Sequence, residues 1–189
     1  PKESMHGLKE QFAPLAAWAA FSGPGHFADA DMLPLGTIAL GKRKTNFTPD
    51  EQRTLVTLWC IARSPLIMGG DLTKLDDFTL SLLTNDEVLA VDQKGRNAHE
   101  VFNRDGLIAW MSDAPNSPDT FIALFNTRDA IAGTKVEPIT VSLADFGFTK
   151  AVQIRDLWGK KDLGEFTEKF TASIPAHGCA LYRVSTIQK

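Results

Sequence analysis

The chain has 189 residues, of which 43% are apolar and 23% charged, and its formal net charge is −3. Such a composition can bury a core and excludes a collagen-like or disordered polymer. The slight negative charge gives no grip on nucleic acid or an anionic membrane, and no apolar run reaches the roughly 20 residues that cross a bilayer.

Ser4 to Phe12 reads as a helix that should end before Pro14, and Leu15 to Phe21 as a small apolar stretch leading to the turn Ser22-Gly23-Pro24-Gly25. Then comes His26-Phe27-Ala28-Asp29-Ala30-Asp31-Met32-Leu33. If extended, this segment sends Asp29 and Asp31 to one face and Ala28, Ala30 and Met32 to the other. Neighbouring carboxylates repel, and such a pair is tolerated where it meets a polar ligand or local donors. A solvated acidic turn is the alternative reading. Thr48, Pro49 and Glu51 have the pattern of a capped helix start, and Leu55, Leu58, Trp59 and Ala62 share one face of the helix that follows. That helix should stop at Arg63-Ser64, ahead of Pro65. Pro65 to Met68, apolar and bounded by Pro and Gly-Gly, predicts a strand buried on both sides. Asp76 to Leu83 and Asn85 to Val91 predict short helices.

Strand, long loop, helix, strand, helix is the order of the last quarter of a (β/α)8 barrel. Active sites of such barrels lie at the strand exits, here Asp29 to Met32 and Met68-Gly69-Gly70-Asp71. From Arg96 onward the pattern changes. Ala98–Asn103, Leu107–Ser112, Thr120–Asn126, Ile139–Ser142, Ala151–Asp156, Phe166–Ile174 and Cys179–Val184 all read as strands. Turn signals at Arg104-Asp105-Gly106, Asn116-Ser117-Pro118-Asp119, Ala132-Gly133 and Ala176-His177-Gly178 separate several of them, and Leu143 to Gly147 reads as a short turn. This density without long helices predicts an antiparallel β-sandwich. The expected division is therefore 1–94 for an incomplete barrel and 95–189 for the sandwich.

Cys60 and Cys179 read as buried structural thiols rather than a disulfide, and the four scattered histidines give no support to a metal site or cofactor. Trp110, Trp158 and Phe166 could stack on sugar rings, but the commoner fate of such residues is packing in the core or at an interface. The sequon Asn46-Phe47-Thr48 has meaning only in a secreted eukaryotic protein.

The segment from Gly23 to Gly36 resembles the Gly-Gly-Trp-Asn-Asp-Pro-Asp-Met-Leu signature of glycoside hydrolase family 27, the α-galactosidases and α-N-acetylgalactosaminidases. Thr48-Pro49-Asp50-Glu51-Gln52-Arg53, Leu58-Trp59 through Gly69-Gly70-Asp71-Leu72, and Leu82-Leu83-Thr84-Asn85-Asp86-Glu87 through Asp92-Gln93 follow in that family's order. Arg155-Asp156-Leu157-Trp158 and Pro175-Ala176-His177-Gly178 resemble its terminal β-domain. Phe27, Ala28 and Ala30 depart from the usual Trp, Asn and Pro, which bears on sugar specificity more than on membership. The resemblance implies an α-galactoside substrate, with Asp31 and Met32 lining the galactose pocket and Asp29 bracing the neighbouring loop. It places the nucleophile and acid/base aspartates upstream of this chain, so no catalytic residue is expected within it. The missing N-terminal barrel portion would then be its partner. The resemblance is compatible with secreted, periplasmic or lysosomal locations, and the residues fix none of them.

Asp29 and Asp31 do not suit the catalytic pair itself. A retaining glycosidase sets two carboxyl groups about 5–5.5 Å apart on opposite sides of a sugar. Two residues apart on one strand, they would be roughly 7 Å apart and parallel. Two classes of function stay open: the C-terminal part of a retaining α-galactosidase, or a non-catalytic carbohydrate-binding or accessory β-sandwich module. Two unaccompanied barrel strands should also leave Leu33, Leu35, Ile67 and Met68 uncovered, so the chain by itself is expected to aggregate, swap or need a complement.

Overall fold

The computed structural model describes residues 3–130 and 136–187. Helix α1 runs from Met5 to Ala19 with Ser4 as its N-cap and Pro14 inside it. The expected break before Pro14 does not occur. Leu8, Phe12 and Leu15 fall on one buried face, and that continuous apolar stripe outweighs the missing proline N–H, whose ring lies on the exposed side. A short hairpin follows, β1 (Thr37–Ile38) with β2 (Arg43–Lys44), and then α2 (Pro49–Ala62).

Helix α2 begins in a full capping box: Glu51 N donates to Thr48 Oγ1 at 3.3 Å and Thr48 N to Glu51 Oε2 at 2.8 Å. It ends where Arg63 turns left-handed, φ 60°, as the following proline predicts. Eleven of its residues are buried, from Glu51 to Ala62, so it forms the centre of the molecule. Helices α3 (Asp77–Leu83) and α4 (Asp86–Lys94) are capped by Asp76 and Asn85.

Beyond α4 come β3 (Arg96–Arg104), β4 (Leu107–Asp113), β5 (Thr120–Asn126), β6 (Glu137–Ser142), β7 (Val152–Asp156), β8 (Lys161–Phe166), β9 (Lys169–Ile174) and β10 (Cys179–Thr186). Six of them form one antiparallel sheet in the order β3-β4-β5-β10-β7-β8, and β6 pairs with β9 in a second. Ala109, Ile122, Leu124, Ile139, Val141, Phe170 and Tyr182 share the apolar cluster between them. Alternate residues, Ile108, Trp110, Phe121, Ala123 and Phe125, face the helices instead; Phe12 meets Phe125 edge-on at 5.0 Å. Strand β5 is buried at every position because both of its faces are covered.

The strand predicted over Phe166–Ile174 is two strands, broken at Glu168 with φ 62°. The whole of β8 precedes the break. Its charged, glycine-containing sequence Lys161-Asp162-Leu163-Gly164-Glu165-Phe166 is that of a protected sheet edge, which reads as loop by composition. The Ala132-Gly133 turn falls outside the described residues. Trp110 is fully buried, Trp158 donates from Nε1 to Thr57 Oγ1 at 2.9 Å, and Phe166 packs edge-on against Phe170. All three aromatics therefore serve packing. Cys60 and Cys179 are free thiols, as expected, but only Cys60 is fully buried and Cys179 is partly so.

Polar contacts fasten the helices to the sandwich. Arg155 grips Glu87 through two bonds of 2.7 and 2.8 Å, and Asn85 Nδ2 donates to the Leu157 carbonyl at 3.0 Å. Thr54 Oγ1 donates to the His177 carbonyl at 2.8 Å, and the His177 ring lies between Glu51 and Asp129 at 3.0 and 2.9 Å.

Candidate functional site

The two apolar segments expected as barrel strands lie side by side in parallel. Leu33 N donates to the Ile67 carbonyl at 2.8 Å, and Gly69 N to the Leu33 carbonyl at 2.9 Å. The pairing is a single bridge rather than a ladder, so the strand predicted over Pro65–Met68 is not regular. Each segment has a neighbour on one side only within the described residues, which removes the cooperativity a longer ladder would bring. Ile67 is half exposed: it lacks the double burial of a strand inside a barrel and is left uncovered, as expected of two unaccompanied barrel strands. Leu33 and Leu35 depart from that expectation. At 1% and 0% exposure they sit in one apolar cluster with Leu55, Leu58 and Leu82 of the helices, which cover them in large part.

The segment from Ala28 to Met32 keeps part of the expected alternation. Ala30 is buried and its N donates to Ser64 Oγ at 2.9 Å, while Asp29 and Asp31 are exposed. Met32 does not join Ala30. It is half exposed, because Asp31 adopts a left-handed backbone with φ 74° and rotates the next side chain outward. Asp31 N donates to Asp29 Oδ1 at 2.9 Å, Met32 N to Asp31 Oδ1 at 2.7 Å, and Trp59 Nε1 to the Asp31 carbonyl at 2.8 Å. Both carboxylates thus have backbone donors, and both residues lie on the exposed side.

Close approach of the second segment completes the corner. A Cβ at Gly69 would stand 3.1 Å from Met32 Cβ, and one at Gly70 would strike the Leu35 carbonyl, so the Gly-Gly pair lets the two exits meet. Asp71 N donates to the Thr37 carbonyl at 2.7 Å and ties the β1–β2 hairpin to the same end. Asp71 accepts from Thr73 through side chain and backbone, which holds its carboxyl below the usual range. The arrangement offers carboxylate acceptors and a soft apolar wall at the strand exits, suited to a polyhydroxylated ring.

A cleft of about 880 Å³ lies elsewhere. Ser22 to Pro24, Arg63, Gln93 to Asn97 and the Pro115-Asn116 turn line it, at the end where the two segments begin. A groove of about 300 Å³ between α1 and residues 27–30 is lined by Trp18, Phe27 and Asp29 among others. Among the described residues no group of three or more His, Cys, Asp or Glu could hold a metal ion, and no helix is long and apolar enough to cross a membrane. Trp59 and Ser64 are the residues that sequence reasoning missed. Trp59 looks like an ordinary core position of α2 and Ser64 like an ordinary residue just past its end, and the one hint is that a buried indole N–H needs an acceptor.

Comparison with known proteins matches residues 6–94 to the family model of alpha-galactosidase A and residues 104–184 to that of the alpha-galactosidase C-terminal beta sandwich domain. An alpha-galactosidase of Oryza sativa is 29% identical over 167 residues, covering 87% of this chain and 37% of the rice protein. A β-L-arabinopyranosidase of glycoside hydrolase family 27 from Geobacillus stearothermophilus superposes with a TM-score of 0.91 at 39% identity, over 97% of this chain and 42% of that one. Alpha-galactosidase I of Mortierella vinacea gives 0.77 at 25% identity, over 93% and 44%. The chain thus spans less than half the length of these relatives.

Proposed function

Because both family models are matched in order along most of its length, the chain belongs to glycoside hydrolase family 27, with the end of the (β/α)8 barrel followed by the C-terminal sandwich, and we propose that it supplies the sugar-binding side of a retaining α-galactosidase. The observation that carries this is Asp31 at a strand exit, its carboxylate exposed and its backbone held on both sides. In this role Asp31 accepts hydrogen bonds from sugar hydroxyls, Met32 packs on the ring, and Asp29 braces Asp31 through the bond to its N–H. The nucleophile and the acid/base come from upstream barrel strands of the same protein. That division is supported by Asp29 Oδ1 being spent on the Asp31 N–H, an arrangement unlike two carboxyls flanking a sugar.

The same upstream strands are the partner proposed for the exposed apolar side chains Trp18, Phe27 and Ile67, which are 59%, 62% and 50% exposed. We place the boundary between barrel and sandwich at Lys94-Gly95, between the end of α4 and the start of β3.

A second reading of the substrate has its own support. The arabinopyranosidase is more alike in sequence than the rice or fungal α-galactosidases. β-L-Arabinopyranose is the galactose ring without its hydroxymethyl group, so the same Asp31 and Met32 corner serves both. Chromogenic α-galactoside and β-L-arabinopyranoside, offered to the chain extended upstream by its barrel, separate the two. A higher kcat/KM on the galactoside supports the first reading, a higher value on the arabinopyranoside the second, and turnover of neither overturns both.

A further inference from the structure

Asp31 has a left-handed backbone, φ 74°, a conformation that aspartate tolerates better than most side-chain-bearing residues but that costs energy without support. Two bonds within the segment support it, from Asp31 N to Asp29 Oδ1 and from Met32 N to Asp31 Oδ1. Two contacts from outside the segment are of another kind. Trp59 is fully buried in α2, and its indole N–H, which has no other way to meet water, donates to the Asp31 carbonyl at 2.8 Å. Ser64 is fully buried just past the helix end and accepts from Ala30 N at 2.9 Å. The two anchors are themselves joined, since Ser64 N donates to the Trp59 carbonyl at 3.0 Å across the left-handed Arg63. The end of α2 therefore holds the Asp31 carbonyl and, one residue upstream, the Ala30 N–H in one rigid frame.

We infer that Trp59 and Ser64 are positioning residues for the sugar-binding carboxylate, fixing Asp31 in its left-handed conformation so that its side chain and Met32 face the ligand together. The inference rests on the reading of Asp31 as a sugar ligand. Neither Trp59 nor Ser64 touches substrate. Without the indole bond the Asp31 carbonyl turns to water, the residue relaxes toward ordinary negative φ, and Met32 swings back toward the side of Ala30. The carboxylate then pays an ordering cost each time a sugar binds.

The test uses the chain extended upstream by its barrel, with Trp59→Phe, Ser64→Ala, Asp31→Ala and the double variant of Trp59→Phe with Asp31→Ala. Leu55→Val, a change in the same apolar cluster that removes no hydrogen bond to the site segment, serves as control. The expected result for Trp59→Phe is a KM about tenfold higher with kcat changed much less. Ser64→Ala should shift KM in the same direction, Leu55→Val should leave it unchanged, and Asp31→Ala should make the Trp59 change silent. The backbone coupling constant of Asp31 in the Trp59→Phe protein reports φ directly and should move to the negative range. If Asp31→Ala raises KM while Trp59→Phe and Ser64→Ala do not, the positioning role is wrong and the sugar-binding role stands. If Asp31→Ala leaves KM unaltered, the sugar-binding reading fails and the inference with it. A φ that stays positive in Trp59→Phe also overturns the inference.

Discussion

Replacing Glu87 with Gln should loosen the joint between helices and sandwich. Glu87 lies in the first turn of α4, and its two carboxylate oxygens accept from Arg155 Nε and Nη2 at 2.8 Å or less. Their side chains are 24% and 33% exposed, so the pair is partly screened. Charge-assisted hydrogen bonds are worth about 1.5–3 kcal/mol when buried, and exposed ion pairs roughly 0.2–1 kcal/mol. Arg155 keeps Asp162 at 2.9 Å, which limits the loss. Between those limits, Glu87→Gln should cost about 1–2 kcal/mol. Urea titration of the upstream-extended protein, followed by tryptophan fluorescence, reads it, because Trp59 and Trp158 sit at the joint. The exposed Lys160–Asp86 pair is the control, and Lys160→Ala should change stability by no more than about 0.5 kcal/mol. A Glu87→Gln protein as stable as its parent, or one that loses no more than Lys160→Ala, would refute the reasoning.

Asp92 offers a pH-dependent test. Burial pushes its carboxyl up to about 6, with Arg63 acting in the opposite direction. A carboxyl with a raised folded pKa costs stability once ionised, so the cost is full above pH 6 and fades as pH falls from about 6 towards 4. Asp92→Asn should therefore stabilise the protein at pH 7 by about 1–2 kcal/mol, after allowance for solvent screening of a partly exposed group, with the gain gone at pH 4. A gain independent of pH would contradict this. The thiols give a second check. Burial pushes Cys179 up to about 11 and Cys60 well above the usual thiol range. Neither should react with a disulfide reagent at pH 8 until the protein is unfolded, and fast native-state labelling would show that one of them is not sealed.

Legibility in the sequence followed the physics of each element. Helix α2 was plain because its capping box, its apolar stripe and the proline after Ser64 all agree. The central sandwich strands were plain because β-branched and aromatic residues recur between turn signals, as in Thr120–Asn126. Helix α1 runs past the break that Pro14 predicts because the stripe of Leu8, Phe12 and Leu15 outweighs that local rule. Strand β8 was hidden because an edge strand is built from the residues that elsewhere make loops. At the candidate site the sequence showed which residues matter but not how they are held. Alternation put Asp29 and Asp31 together, yet the left-handed turn at Asp31 depends on Trp59, 28 residues further on, and no periodicity encodes that contact.

The central claim is that this chain supplies the sugar-binding side of a site whose catalytic carboxylates lie upstream. The most direct measurement is hydrolysis of a chromogenic α-galactoside by the 189-residue chain alone, by the chain extended upstream through its barrel, and by the extended chain carrying Asp31→Ala. The account predicts turnover only in the extended form, with kcat/KM reduced about 10- to 100-fold by Asp31→Ala, the worth of a charge-assisted bond to a sugar hydroxyl. Turnover by the 189 residues alone, abolished by Asp29→Ala or Asp31→Ala, would contradict it and place the catalytic pair within this chain.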